Sequence, residues 1–80
     1  MGFYIRSSRR KAGYWKAELF SDAIEEQTGR HVSADTLYKI ESGRQEPSIT
    51  QLMAIAYTLG YGEEELAHFL YVCFGDVSHV

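Results

Sequence analysis

Five glycines, Gly13, Gly29, Gly43, Gly60 and Gly75, each close a stretch whose apolar residues recur at helical spacing. A glycine enters the left-handed conformation that ends a helix without a Cβ penalty, so five such stops imply five helices. No stretch alternates apolar and polar residues as a half-buried strand would. The expectation is therefore an all-α fold, one compact five-helix domain over residues 1–80, with helices at about 2–12, 15–28, 33–42, 48–59 and 62–74. Eighty residues lie near the lower size at which one core suffices without disulfides or metal. The one cysteine, Cys73, excludes an internal disulfide, and its spacing from Phe69 and Leu70 marks it as a buried thiol.

The segments differ in what they can bury. In the first helix Ile5 is the clearest core residue, and Arg10 and Lys11 close the last turn, where the dipole favours cations. The second is expected to turn Trp15, Leu19, Phe20, Ala23 and Ile24 inward and to leave Asp22, Glu25 and Glu26 wet. In the fourth, Ser48 and Gln51 form a capping box, Ile49, Leu52, Ala56 and Leu59 make the stripe, and Met53 and Ile55 flank it. The fifth opens on Glu63, Glu64 and Glu65, a favourable placement against the dipole, and buries Leu66, Phe69, Leu70 and Cys73. Tyr71, Val72 and Phe74 cannot all join that face; either the tail, residues 76–80, or a second subunit covers them, and a homodimer through these three is expected.

The third segment is the exception. Ser33 caps it, Val32 and Leu37 are spaced as a hydrophobic staple, and Pro47 forces the exit to be extended. Only Leu37 and Ile40 look inward. Ala34, Asp35, Thr36, Tyr38, Lys39 and Ser42 are left to point elsewhere, too many polar groups for an ordinary core helix.

The net charge of −3 conceals a gradient. All eight basic residues precede residue 45 and meet six acids there, leaving +2, whereas the remainder carries −5. One half can face a polyanion while the other faces away. No phosphate loop, HExxH, CxxC or nucleophile elbow is present, and no carboxylate pair is forced together in an apolar cleft, so no enzyme is expected. His31, His68 and His79 share no helical face, so no metal is expected, and five packed helices of this size leave little room for an enclosed pocket, so no other cofactor or small-molecule ligand is expected. The first residues lack the apolar centre of a signal peptide, and Ser7 stands one place too late for myristoylation, which together point to a cytoplasmic protein.

Two consecutive helices joined by a turn, the second short and polar at its start, form the arrangement of a helix-turn-helix that reads DNA in the major groove. The residues are also similar to the Cro and cI type of phage-repressor domain, the lambda-repressor-like or XRE-like family. The matches are Ile5-Arg6 with Arg9 and Gly13, the A-E-L of Ala17 to Leu19, V-S-x-x-T-L-x-x-I-E-x-G-R-x-x-P over residues 32–47, and L-x-x-I-A-x-x-L-G over residues 52–60.

The resemblance implies a sequence-specific DNA-binding regulator, a repressor acting as a dimer on a pseudo-palindromic site, with double-stranded DNA as partner. It implies a buried salt bridge between Arg9 and Glu41, base contacts from Ala34, Asp35, Lys39 and Tyr38, and phosphate contacts from Lys16, Thr36, Ser42, Gly43 and Arg44. Arg30, just before the third helix, stands where a phosphate would be welcome. Lys39 can bond guanine O6 or N7 and Asp35 can accept from cytosine N4, although an acid in a first turn is stable there without DNA. Tyr38 either stacks on the DNA backbone or covers the helix. Two registers are open for the second helix: ungapped, Lys16 takes the family's phosphate-binding glutamine and Phe20 its small alanine; shifted by one, Ala17 and Ser21 take them. The acidic total and the Ala34-Asp35 pair leave a rival reading, a protein-interaction module that keeps the fold.

Overall fold

A computed structural model describes residues 2–74 of the chain, with side chains from Tyr4 to Val72. It contains α1 (Gly2–Lys11), α2 (Ala17–Thr28), α3 (Ala34–Glu41), α4 (Ile49–Thr58) and α5 (Glu63–Phe74), and the described residues include no strand. The expected all-α five-helix architecture is the observed one. Gly13, Gly29, Gly43 and Gly60 hold φ between 74 and 96°, the left-handed stops read from the sequence; Gly75 lies outside the described residues. No helix among the described residues is long and apolar enough to cross a membrane.

Helix ends follow local chemistry. Ser33 Oγ accepts the Thr36 N–H at 3.1 Å, and Ser33 stands outside α3 as its cap. At α4 the capping box is complete: Gln51 N–H donates to Ser48 Oγ at 3.1 Å and Ser48 N–H to Gln51 Oε1 at 2.9 Å. Ser48→Ala is expected to lower stability by about 1 kcal/mol. A reduced urea midpoint at unchanged m-value would register that loss.

The core gathers Ile5, Phe20, Ile24, Val32, Leu37, Ile40, Leu52, Ile55 and Phe69, with Ala17, Ala54 and Ala56 filling between them. α2 packs on α3 and on α4, and α1 packs on α3. Val32 and Leu37 are both buried, as the staple requires. α5 docks through Phe69, whose ring lies 5.7 Å from that of Tyr4 and 5.4 Å from that of Tyr61, centroid to centroid.

Several expected core positions are corrected. α2 begins at Ala17, so Trp15 precedes the helix and is 74% exposed, and Leu19 is 49% exposed. The inward stripe is Ala17, Phe20, Ser21 and Ile24, at i, i+3, i+4 and i+7; Leu19 falls on the opposite side and Ala23 is half-buried. Ser21 is tolerated inside because its hydroxyl donates to the Val32 carbonyl at 2.6 Å. Ala17 and Phe20 are both fully buried, while Lys16 just before them is exposed. In α4, Ile55 is core rather than flank, whereas Ile49 at the first turn is exposed with Met53 and Tyr57. On α5, Leu66 and Leu70 are half-buried, Tyr71 is exposed and Val72 half-buried. The side chains of Cys73 and Phe74, and the tail, lie outside the described residues.

Candidate nucleic-acid interface

The helix-turn-helix is α2, residues 29–33 and α3. Thr28 Oγ1 donates to the Ile24 carbonyl at 2.6 Å and receives the Arg30 N–H at 3.1 Å, while Gly29 N–H bonds the Glu25 carbonyl at 2.9 Å. These bonds satisfy the exposed end of α2 and turn the chain toward α3. His31 Nδ1 lies 2.8 Å from Glu25 Oε1 on the exposed side of that turn.

A buried ion pair fixes α3 from behind. Arg9 Nε donates to Glu41 Oε2 and an Arg9 terminal nitrogen to Glu41 Oε1, both at 2.9 Å. The other terminal nitrogen donates to the Tyr14 carbonyl at 2.8 Å. The Arg9 and Glu41 side chains are 3% and 0% exposed. One guanidinium therefore ties α1, the turn after it and the last residue of α3 in a planar, bidentate geometry that a lysine could not reproduce. Arg6 adds a weaker contact, its Nε 3.3 Å from Glu41 Oε1. Glu41 is thereby a structural residue whose carboxylate is fully engaged.

The outer side of α3 carries Asp35, Tyr38, Lys39 and Ser42, all exposed, with Thr36 half-buried at its edge. Their polar groups already hold one another. Lys39 Nζ lies 3.0 Å from Asp35 Oδ2, one helical turn back, and Tyr38 OH donates to Glu18 Oε1 on α2 at 3.2 Å. Ala34 is half-buried and packs on the core, so only part of it faces outward. Thr36 Oγ1 accepts from Ser33 Oγ at 2.9 Å and keeps its own proton for an outside acceptor.

At the C-terminal end of α3, the Arg44 and Gln45 N–H groups fold back to the Lys39 carbonyl at 2.9 and 3.2 Å. Ser42 Oγ donates to that same carbonyl and accepts from Arg44 Nε. The Gly43 N–H bonds the Ile40 carbonyl at 3.2 Å, so this amide is committed within the helix end and Arg44 is the charge there. Lys16 stands exposed at the N-cap of α2, its side chain making no cap bond. Arg30 is seated beside α4, lining one groove with Ile49, Thr50 and Met53, and not among the outward residues of α3.

Sequence reasoning missed Glu18 as the Tyr38 partner, Arg6 as a second cation on Glu41, and the Tyr14 carbonyl as an acceptor for Arg9. No local pattern announces any of them, because each joins segments brought together only by folding.

The arrangement of a clamped short helix following a turn is that of a DNA-binding helix-turn-helix. The chain belongs to the helix-turn-helix domain family, whose model matches residues 1–69, consistent with the Cro and cI type. No curated protein and no solved structure matches it. Membership makes this a DNA-binding domain of the regulator class, with DNA as its partner.

Proposed function

We propose that the protein is a sequence-specific transcriptional regulator, a cytoplasmic repressor that lays α3 in the DNA major groove. The observation that carries this reading is the contrast between the two sides of α3. Its inner side is locked by the Arg9–Glu41 pair, and its outer side presents an acceptor and a donor, Asp35 and Lys39, one turn apart. A rigid element with a small polar set facing outward is what base-edge reading needs. Asp35, Lys39 and Tyr38 reach bases, with Ala34 giving close approach. Lys16, Thr36, Ser42 and Arg44 meet phosphate, and Arg30 lies at the margin of that set. Two copies, joined through Tyr71, Val72 and Phe74, bring two α3 helices to half-sites about 34–36 Å apart.

Selection of sites from a random duplex library with purified protein tests this. The expected result is one enriched motif with two related half-sites. With Lys16, Arg30 and Arg44 as phosphate cations, the slope of log K against log salt is expected to be about −2.7 per subunit, shallow for a DNA-binding regulator. The exposed α4 stripe of Ile49, Met53 and Tyr57 favours a second reading, a protein-interaction module. No enriched motif at low salt would establish that reading over the first.

A further inference from the structure

Glu18 is the acid of the first turn of α2, where the helix dipole alone makes it stable. The dipole does not account for its partner. Its carboxylate reaches across to another helix and accepts the Tyr38 phenol proton at 3.2 Å, on the rim shared by α2 and the outer side of α3. Lys39, the other long side chain there, is likewise held by a carboxylate, Asp35, at 3.0 Å. The Lys39–Asp35 pair thus stands on the same outer side of α3 as Tyr38, Lys16 is exposed at the N-cap two residues before Glu18, and both Tyr38 and Lys39 are engaged before any ligand arrives.

We propose that Glu18 is a specificity-determining residue of the interface: its charge repels phosphate in most incorrect registers, and its oxygen orients Tyr38. This rests on the reading of α3 as the DNA-contacting helix. A polyanion bound without base contacts slides through many registers, held by counterion release alone. In most of those registers a phosphate comes within reach of Glu18, and the repulsion offsets the attraction of Lys16. In the seated complex, base contacts to α3 fix the register, the backbone is held off, and Glu18 stays on the Tyr38 hydroxyl. The acid therefore weakens non-specific binding more than specific binding, and specificity is that difference.

Glu18→Gln separates the two roles, since a glutamine carbonyl still accepts from Tyr38 while the charge is gone. Affinity for a scrambled duplex is expected to rise on the order of tenfold at low salt, the Coulomb effect of one charge near two phosphates in water. The salt slope on that duplex steepens by about 0.9, and affinity for the selected site rises less, so the ratio between the two falls. Glu26→Gln, removing the same charge from the wet side of α2, is the control and leaves ratio and slope near wild type. Equal gains on both duplexes, or a Glu18→Gln effect no larger than that of Glu26→Gln, overturn the proposal while leaving the DNA reading intact. Wild-type protein that binds neither duplex at low salt overturns the DNA reading and the proposal with it.

Discussion

Glu41→Ala is expected to remove about 3–5 kcal/mol of folding stability, the cost of leaving a buried charge without its partner. The reason is not the strength of the ion pair but the state of Arg9 once alone. Its guanidinium is 3% exposed, and of its three bonds to protein only the one to the Tyr14 carbonyl survives. Arg6 cannot compensate, since it is a second cation on the same carboxylate. Against a typical total of about 5–15 kcal/mol for a domain, a loss of this size leaves a large unfolded fraction at growth temperature. Thermal and urea melts followed by circular dichroism measure it. The double change Arg9→Met with Glu41→Leu is expected to recover much of the loss, because no charge remains buried. It does not recover all of it, because the Tyr14 carbonyl then loses its donor. A single change costing under about 1 kcal/mol, the range of exposed pairs, would show that water reaches the site.

The second large effect falls on binding. Lys39→Ala is expected to weaken binding to the selected site by about 1–3 kcal/mol and to relax preference at one base position. Losing the ammonium does more than remove a donor, because it leaves Asp35 an unpaired carboxylate, which on the proposed reading would face the groove bare. Asp35→Ala combined with Lys39→Ala is therefore expected to bind scrambled DNA more tightly than Lys39→Ala alone, while remaining unable to read that position. Competition titrations with selected and scrambled duplexes distinguish the cases. An unchanged ratio between the two duplexes in Lys39→Ala would remove Lys39 from the reading set.

Much of this fold is legible in the sequence. Gly13, Gly29, Gly43 and Gly60 take left-handed φ as their spacing suggests, and Ser33 and Ser48 cap the helices they precede. Those features are set within a few residues, by one side chain and one backbone amide. The short third helix with a polar outer side was legible for the same reason. The pairing of Arg9 with Glu41 came from resemblance, and the structure places the two side chains 2.9 Å apart at two points.

The register of α2 was not legible. Trp15, Leu19, Phe20, Ala23 and Ile24 form a plausible stripe by spacing alone, yet the helix starts at Ala17 and Leu19 turns to solvent. Apolar residues lie on two sides of this segment, and only the neighbours can choose between them. The choice is made by the Ser21 bond to Val32 and by Phe20 packing beside Tyr14, whose ring centroid is 5.1 Å away. In α4 the same ambiguity put Ile49 in the expected stripe and Ile55 at its edge, the reverse of their burial.

By itself, then, the sequence determined where the helices stop, how α3 and α4 are capped, and that the third helix is too polar to be core, because each is set within about six residues of chain. Only the tertiary structure decided which side of α2 is inside and which charges meet on the outer side of α3. Glu18 meets Tyr38 across 20 residues of chain and Arg9 meets Glu41 across 32. Encounters at that separation exist only once the core has set the helices against one another, so the pairing of Glu18 with Tyr38 has no signature in the linear chain.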